Sequence, residues 1–355
     1  MAGLLVIGDA VTDVVALHRT PVATGTDTPA DIAVRPGGSG ANTASWAAHL
    51  GADARILTRV GYDTGQWHIS ELRAAGVRPH ASVDPAHPTA VVIAMVDASG
   101  ERTMLTNRGA GGHIGPADWD DALLDDVGLL HISGYTLFAE PGLDLVRRAV
   151  RAARGRGVPI SVDPASTGPL RAFGPDRFLR ETAAATLIIP NRDEALLLAA
   201  GDDALPLTAG DGALALASRD DTVARNAGDG TLALTAGDDA AAGNGERDQS
   251  GGPGAVERAA AALSARYGMA AVKLGAAGAV LAVGGRVVHR AAAVPATGAA
   301  GIVDSTGAGD AFAAGFLTAL LAGRPAPAAL DEGCRAGAAA VARLGGRPPS
   351  RPPAL

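Results

Sequence analysis

Runs of apolar residues alternate along the chain with stretches of helical periodicity. Continuous runs rich in Val, Ile and Leu, which are typical of strands buried on both faces of a parallel sheet, lie near residues 5, 57, 130, 160, 188 and 272. Alanine-rich stretches with helical spacing cover 41–50, 66–75, 143–154, 192–200 and 255–266. Strands that alternate with helices indicate βαβ units. We therefore predict an α/β fold with a doubly wound, mostly parallel sheet flanked by helices.

Two segments, 14–36 and 88–110, follow a different pattern. Apolar and polar side chains alternate in them, as in "TAVVIAMVDASGERTMLT", and an Asp-Ala-Ser-Gly turn interrupts the second segment. Alternation with a period of two predicts strands that are exposed on one face. We expect half-exposed antiparallel strands that form a small β-sheet, a lid attached to the main sheet.

Residues 201–254 differ from the rest of the chain in composition. They are rich in Gly, Ala and Asp, and "LTAGD" occurs at both 207 and 234. The segment has no aromatic residue and few large apolar ones, so burial cannot offset the entropy of ordering it. We expect a flexible low-complexity surface insertion within a single domain of residues 1–355. A calcium-binding repeat is the alternative, although the Asp spacing is irregular.

Composition and charge narrow the class of function. The 355 residues are 47% hydrophobic, enough for a large core, and the net charge of -7 argues against nucleic acid or an anionic membrane as a partner. The first apolar run breaks at Gly8 and Asp9, which indicates a strand rather than a signal peptide. The single cysteine, Cys334, excludes an intrachain disulfide and favours a cytoplasmic location. Small-molecule chemistry is the expected function.

Several common motifs are excluded. The one lysine, Lys273, stands between Val272 and Leu274, so a P-loop with Gly-Lys-Ser/Thr is absent from the sequence. The stretch "GGSGANT" carries Thr43 where a dinucleotide fingerprint has its third glycine. The histidines show no metal-ligand spacing such as HExxH. Any catalytic metal is therefore expected on oxygen ligands.

The stretch "DSTGAGDAFAAGFL", residues 304–317, places a carboxylate on a glycine turn where a helix begins. Apolar residues follow at helical spacing, which predicts Asp310 in the first turn of a buried helix. The amides of Gly307, Ala308 and Gly309 would then face outward at a helix N-terminus, a place that binds anions. A base beside an anion site suits phosphoryl transfer to an alcohol. By itself, Asp310 could equally be a helix-start carboxylate.

A second glycine-rich stretch, "GGSGANTASWAAHLGADARILTRVG" at 37–61, places Gly37, Gly38 and Asn42 at the start of another helix. Alone it indicates only a tight turn. Together with "DSTGAGD" it closely resembles the two signature regions of the ribokinase-like sugar kinases, the PfkB family, and the resemblance continues in order along nearly the whole chain. It implies a ribokinase-like fold and transfer of the γ-phosphate of ATP, as a Mg²⁺ complex, to a carbohydrate hydroxyl.

Three further motifs carry the resemblance. "VIGDAVTD" places Asp13 where the family has a carboxylate that grips substrate hydroxyls, although a strand-end turn residue would look the same. "PNRDEA" matches the family's N-x-x-E motif through Asn191 and Glu194. The match implies that both residues help to bind the nucleotide phosphates and that Glu194 holds Mg²⁺ through water, whereas the residues alone also suit a helix cap. "VKLGAAGAVL" is similar to the family's nucleotide-binding strand-turn-strand through Lys273, Gly275 and Gly278.

The resemblance also assigns roles within the two signature regions. Asp310 would be the base, the amides of residues 307–309 would hold the transferring phosphate, and the acceptor would be bound by Asp13, Gly37, Gly38 and Asn42. "DSTGAGD" and the late "VARLGGRPPS" resemble loops that bind a monovalent cation such as K⁺ in some members, which makes Asp304 a candidate ligand. A homodimer formed through the lid is a further expectation.

The acceptor is expected to be a pentose, a hexose or a sugar acid. Ser39 stands where ribokinases proper commonly have lysine, which puts ribose specificity in doubt. Neither lid segment contains Phe, Tyr or Trp to stack a nucleobase, whereas polar side chains are present there, among them Thr89, Asn107 and Arg108. Two alternatives remain open: a nucleoside kinase of the same family, with Tyr135 or Phe138 stacking the base, and a sugar-binding protein without turnover.

Overall fold

The computed structural model describes residues 2–98, 102–201, 254–292, 294 and 304–349. The strands are β1 (Gly3–Ile7), β2 (Val11–Leu17), β3 (Asp31–Gly37), β4 (Ala54–Gly61), β5 (Arg78–Asp84), β6 (Ala90–Val96), β7 (Arg102–Asn107), β8 (Val127–Ser133), β9 (Ile160–Asp163), β10 (Leu187–Ile188), β11 (Met269–Lys273), β12 (Ala279–Val283) and β13 (Arg286–Ala291). The helices are α1 (Ser39–His49), α2 (Gly65–Ala74), α3 (Glu140–Gly155), α4 (Thr167–Phe173), α5 (Pro175–Glu181), α6 (Arg192–Gly201), α7 (Ala255–Tyr267), α8 (Ala308–Leu321) and α9 (Ala326–Val341).

In the described part of the chain, nine strands form the large sheet in the order β13-β12-β11-β10-β9-β8-β1-β4-β5. Neighbours from β5 to β11 pair in parallel, whereas β12 pairs antiparallel with both β11 and β13. On one side of β1 lie β4 and β5, and on its other side lie β8 to β13. The predicted doubly wound, mostly parallel sheet is therefore confirmed. In such sheets ligands bind at the carboxyl ends of the strands, where the order reverses.

Helices cover both faces of this sheet. Leu4 and Val6 of β1 belong to the apolar layer that contains α1, α2, α8 and α9. Leu5 and Ile7 belong to the opposite layer, which contains α3 to α7. All four side chains are fully buried. Because both faces are covered, the strands have continuous apolar sequences, and this is why the six predicted strands match β1, β4, β8, β9, β10 and β11.

A separate four-stranded sheet has the order β3-β2-β6-β7, which confirms the predicted small sheet. The expectation of antiparallel strands throughout is wrong in one place, since β2 and β6 pair in parallel while β2–β3 and β6–β7 are antiparallel. The reason lies in the connections. β2 follows β1 and β6 follows β5, and because β1 and β5 point the same way, both strands enter the small sheet from the same edge. That this sheet acts as a lid stays a prediction.

The predicted insertion, 201–254, lies outside the described residues except for its two end residues. The Asp-Ala-Ser-Gly turn of 97–100 is likewise described only through residue 98. Over the described ranges, no helix combines the length and the apolar character that a membrane crossing requires.

Candidate active site

Polar side chains collect where the parallel strands of the large sheet end. Asp9 follows β1 and Tyr135 follows β8, and these two strands flank the point at which the strand order reverses. Asp163 ends β9, Asn191 follows β10, and Lys273 ends β11. The carboxyl ends of neighbouring parallel strands share one edge, so the topology brings these side chains together.

The N-terminus of α8 has the glycine turn that the sequence predicts, and anion binding there stays a prediction. The helix begins at Ala308, which places Asp310 in its first turn, and Gly307 caps it with φ 72°. A Cβ on Gly307 would lie 2.5 Å from the Cα of Gly346, so both conformation and space require glycine there. The amide of Ala308 donates to the Ser305 carbonyl at 3.3 Å, so one of the three predicted phosphate-binding amides already has a partner.

Asp310 joins the two glycine-rich motifs. Ser39 Oγ donates to Asp310 Oδ1 at 2.9 Å, and Asn42 Nδ2 donates to Oδ2 at 2.9 Å. Both donors lie in the first turn of α1, and Asn42 is 3% exposed. Ser39, considered in the sequence only as a departure from ribokinases, therefore orients the predicted base. The structure brings Asp310 and Asn42 together, and their roles as base and as acceptor ligand stay predictions.

The electrostatic surroundings suit Asp310 to proton transfer. Burial raises the pKa of Asp310 to about 7, although the hydrogen bonds from Asn42 and Ser39 oppose the rise. The charge of Asp163 raises the pKa further and that of Lys273 lowers it. A carboxylate whose pKa lies near 7 is a stronger base than an ordinary aspartate and is still substantially ionised at neutral pH.

Lys273 supplies a positive charge beside the first turn of α8. Its Nζ lies 2.5 Å from Asp163 Oδ2, and both side chains are largely buried. Burial lowers the pKa of Lys273, but Asp163 and Glu194 outweigh it, so the pKa is raised and the amine stays charged. A Cβ on Gly309 would lie 3.4 Å from Lys273 Nζ. The ammonium group therefore stands beside the first turn of α8, where the sequence predicts an anion site.

Asn191 and Glu194 form a reciprocal cap at the start of α6. The backbone amide and Nδ2 of Asn191 donate to the two oxygens of Glu194 at 2.8 and 2.6 Å, and the Glu194 amide donates to Asn191 Oδ1 at 2.9 Å. Glu194 is 1% exposed, and burial together with Asp163 raises its pKa to about 7. Asn191 and Glu194 thus cap the helix, as the residues alone suggest, although the Glu194 carboxylate is buried rather than solvated. The predicted magnesium role stays a prediction.

The predicted acceptor residues lie at the junction of the two sheets. A Cβ on Gly37 would lie 2.0 Å from Asp13 Oδ2, so the carboxylate rests against this glycine. Gly38 has φ 97°, and its α-carbon packs against the backbone of Asp9. Burial and the charge of Asp9 raise the pKa of Asp13 to about 7, and Arg347 opposes the rise. Asp9 in turn accepts the Gly40 amide at 3.2 Å.

The segment from 342 to 349 closes this region from the C-terminal side. Asp304 is 8% exposed, and its two oxygens accept the amides of Thr306 and Gly345, each at 2.9 Å. Trp46 Nε1 donates to the Gly346 carbonyl at 2.9 Å. These bonds tie the turn before α8 to α1 and to the C-terminal segment. They give Asp304 a structural role, and its role as a K⁺ ligand stays a prediction.

The polar residues of the lid segments and the glycines of the predicted nucleotide-binding turn lie in surroundings that range from buried to exposed. Thr89 is fully buried, and its Oγ1 accepts the Gly61 amide at 2.9 Å, so this hydroxyl serves the fold. Asn107 is exposed and bonds the Gly109 amide. Arg108 Nη2 donates to the Tyr135 carbonyl at 2.5 Å and thereby connects the small sheet to the strand-end residues. Gly275 and Gly278 both have positive φ in the turn between β11 and β12.

Three further charged residues of the site, Asp9, Asp163 and Arg347, were not predicted from the sequence. Asp9 and Asp163 each end or follow a predicted strand, in "VIGD" and "ISVD", and an acid at a carboxyl strand end is a usable signal. Arg347 carries no such signal. Its position depends on contacts with residues some 300 positions earlier, as its Nη2 donates to the Gly37 carbonyl at 3.3 Å.

The doubly wound sheet, the small second sheet and the residues at the strand ends define a ribokinase-like protein. Solved structures share this fold over nearly the whole chain. An adenosine kinase from Sinorhizobium meliloti has a TM-score of 0.74 at 24% identity, covering 98% of this chain and 96% of that one. A ribokinase from Thermotoga maritima has a TM-score of 0.68 at 21% identity, covering 97% and 94%.

The chain belongs to the pfkB family of carbohydrate kinases, whose family model matches residues 1–246 and 248–352. The ribokinase of Bacillus subtilis is 30% identical over 202 residues, which are 56% of this chain and 65% of that protein. An ATP-dependent ribose-1-phosphate kinase from Halopiger xanaduensis is 32% identical over 165 residues, 46% of this chain and 52% of that protein. The chain thus spans about half to two thirds of the length of these relatives. Kinases of this family are phosphotransferases.

Proposed function

We propose that this protein is an ATP-dependent carbohydrate kinase that transfers the γ-phosphate of ATP to a sugar hydroxyl. The observation that carries the proposal is the arrangement around Asp310. Its carboxylate, with a pKa near 7, is held by Ser39 and Asn42 in the first turn of α8, where Lys273 adds a positive charge. A base and an anion site lie side by side, as phosphoryl transfer to an alcohol requires.

In the proposed reaction, Asp310 accepts the proton of the acceptor hydroxyl as its oxygen bonds to the γ-phosphorus. The bond from that phosphorus to the bridging oxygen breaks, and ADP leaves with the electron pair. The amides of Gly307 and Gly309 and the Lys273 ammonium stabilise the charge on the transferring group. Asp13 and Asn42 hold the acceptor so that one hydroxyl faces Asp310.

The residues also fit a hydrated magnesium ion. Over the described residues, no three His, Cys, Asp or Glu side chains are grouped to hold a metal by themselves. Mg²⁺ keeps several waters and takes oxygen ligands from phosphates, so the carboxylates of Asp163 and Glu194 suffice as partners of its water shell. A similar solved structure from E. coli, with a TM-score of 0.73, holds ATP and Mg²⁺. The bound ion would neutralise charge on the phosphates.

The choice of a sugar acceptor gives a direct prediction. The kcat/KM for the best pentose, hexose or sugar acid should exceed the kcat/KM for adenosine, inosine, cytidine and uridine by at least about tenfold. This ratio corresponds to roughly 1.4 kcal/mol in transition-state binding. The physical reason is that the small sheet offers no aromatic ring for stacking in its predicted segments, while Asp13 and Asn42 offer hydroxyl partners. ADP release measured over the panel decides the matter. A nucleoside that matches or beats every sugar would contradict the choice.

A nucleoside kinase is the second candidate because of one aromatic side chain. Burial and Asp9 raise the pKa of Tyr135 to about 12, and Asp310 and Asp163 add to the rise, so this ring lies among the acids of the site. Phe138 packs edge-on against it at 6.3 Å between ring centroids. A nucleoside kinase from Burkholderia thailandensis in complex with inosine shares the fold at a TM-score of 0.67 and 18% identity.

We also propose that two copies of the chain associate through the small sheet. Strand pairing places Val34, Val14, Ile93 and Leu105 in one row across all four strands, on the face opposite Asp13. Val34 is 59% exposed and Leu105 is 55% exposed. A continuous apolar row on a sheet face is typical of a protein interface. Since the row is self-complementary, a second copy of the same face is the proposed partner.

The dimer is tested by placing charge in this row. Light scattering of the wild type should give the mass of two chains, and the double variant Val34→Asp, Leu105→Asp should give the mass of one chain, because buried unpaired carboxylates oppose association. Val288→Asp, at an exposed apolar position on β13, is the matched control and should remain dimeric. A wild type of one-chain mass, or a double variant of two-chain mass, would refute the interface.

A further inference from the structure

Arg347 lies against the acceptor residues but forms no ion pair within the described part of the chain. Its Nη2 donates to the Gly37 carbonyl at 3.3 Å, while Nε and Nη1 are buried with no hydrogen-bond partner in the described part of the chain. Its positive charge is felt by Asp13, whose pKa it lowers. No ion pair joins Arg347 to a carboxylate among the described residues. The guanidinium therefore has two unpaired nitrogen atoms, which carry three N–H groups, beside the acceptor end of the site.

Burial of the Arg347 guanidinium is energetically unfavourable unless an anion binds to it. Burial lowers the pKa of Arg347 to about 10, although Glu71 and Asp13 oppose the fall. A buried charged group with unpaired N–H donors loses hydration that these carboxylates and one backbone carbonyl only partly replace, so native proteins seldom keep one that has no role. Each unused N–H can donate to an anionic oxygen, and such charge-assisted bonds are about twice as strong as neutral ones.

A second arginine has the same character. Arg35 pairs across the strands with Asp13, so both side chains project from the same face of the small sheet. Its Nε is buried with no hydrogen-bond partner in the described residues. A Cβ on Gly345 would lie 3.2 Å from Arg35 Cδ, so this side chain runs along the segment that carries Arg347. Two arginines from different elements thus approach the region around Asp13.

We propose that Arg347, assisted by Arg35, binds an anionic group of the acceptor, so that the acceptor is a sugar bearing a carboxylate or a phosphate. This inference rests on the proposed kinase function and specifies its substrate class. Asp13 grips hydroxyls at one end of the sugar and Asp310 receives the reacting hydroxyl, while Arg347 fixes the charged end. A neutral sugar would leave the guanidinium unpartnered, which costs affinity.

The test compares neutral sugars with their charged derivatives. One series of the panel contains ribose, ribonate and ribose 1-phosphate, and the other contains glucose, gluconate and glucose 1-phosphate. Comparison of the sugar acids with the sugar phosphates shows whether a carboxylate or a phosphate is the preferred anionic group. For the wild type, the best charged member should exceed its neutral parent in kcat/KM by at least about tenfold. In Arg347→Gln the loss for that charged acceptor should exceed the loss for its parent by at least about tenfold, chiefly through KM.

The controls separate recognition from folding. Arg343→Gln changes an exposed arginine of the same segment and should keep the wild-type ratio of charged to neutral acceptors. Arg347→Lys, which keeps the charge, should recover part of the preference. Thermal unfolding of each variant reports whether the fold is intact. Equal losses for charged and neutral acceptors in folded Arg347→Gln would overturn the inference and leave the kinase function standing.

The proposed kinase function and the proposed anion-binding role of Arg347 can fail independently of each other. If ADP release is absent with every acceptor, the kinase function fails, and binding of the same compounds by calorimetry then decides the role of Arg347. Arg347→Gln should weaken binding of the charged member at least about tenfold more than binding of its parent. Equal weakening, or no binding preference for the charged compounds in the wild type, overturns the inference.

Discussion

Asp310→Asn should lower kcat by about a thousandfold or more, while the fold persists. The asparagine keeps the size of the side chain and can still bond Ser39 and Asn42, but it cannot accept a proton from the acceptor hydroxyl. The loss should appear in the chemical step, with KM for acceptor and ATP changing far less. Steady-state kinetics with the best sugar of the panel measures both quantities.

The fold of Asp310→Asn can be checked by measuring its thermal unfolding as a function of pH. Because the pKa of Asp310 is raised from 3.8 to about 7, the folded state holds this proton more tightly than the unfolded chain. The resulting stabilisation is full below about pH 4 and is lost as the pH rises through 7. Asp310→Asn should therefore unfold at an equal or higher temperature than the wild type at pH 8. Asp144→Asn, at an exposed site on α3, is the control for both measurements. Retention of more than about a tenth of the wild-type kcat would rule out Asp310 as the base.

Lys273→Met should lower kcat by about a hundredfold, the size expected when a preorganised charge at a transition state is lost. The ammonium stands beside Gly309 and the first turn of α8, where charge would move during transfer. The same change should also destabilise the protein by about 3 kcal/mol, because Asp163 loses its buried partner. Kinetics and denaturant unfolding measure the two effects.

The two effects of Lys273 can be separated with a double variant. Lys273→Met combined with Asp163→Asn removes both charges of the buried pair, so most of the lost stability should return. The kcat should stay low, because no positive charge is restored beside α8 and the proposed magnesium site also loses the Asp163 carboxylate. Lys273→Arg provides a further comparison, since it keeps the charge with a different shape. Recovery of kcat in the double variant would show that Lys273 acts only as a structural partner of Asp163.

The helices and strands that shape the large sheet could be predicted because their signals are local. Apolar runs of strand length and alanine-rich helical periods depend on neighbouring residues alone, and they located β1, β4, β8 to β11, and the helices α1, α2, α3, α6 and α7. The placement of Asp310 in the first turn of α8 followed from the same kind of pattern. The parallel pairing of β2 with β6 could not be obtained in this way, since it depends on where two distant strands leave the large sheet.

The sequence was sufficient to predict the α/β class, the glycine turns at Gly38 and Gly307, and the position of Asp310 at a helix start. Only the tertiary structure decided the partners of those groups. Asp310 meets Asn42 across 268 positions of the chain, and Lys273 meets Asp163 across 110. Such contacts have no spacing signal, because the layers of the sheet set them and the loops between are free to vary in length. The raised pKa values follow from the same cause, since burial and distant charges exist only after the chain has folded.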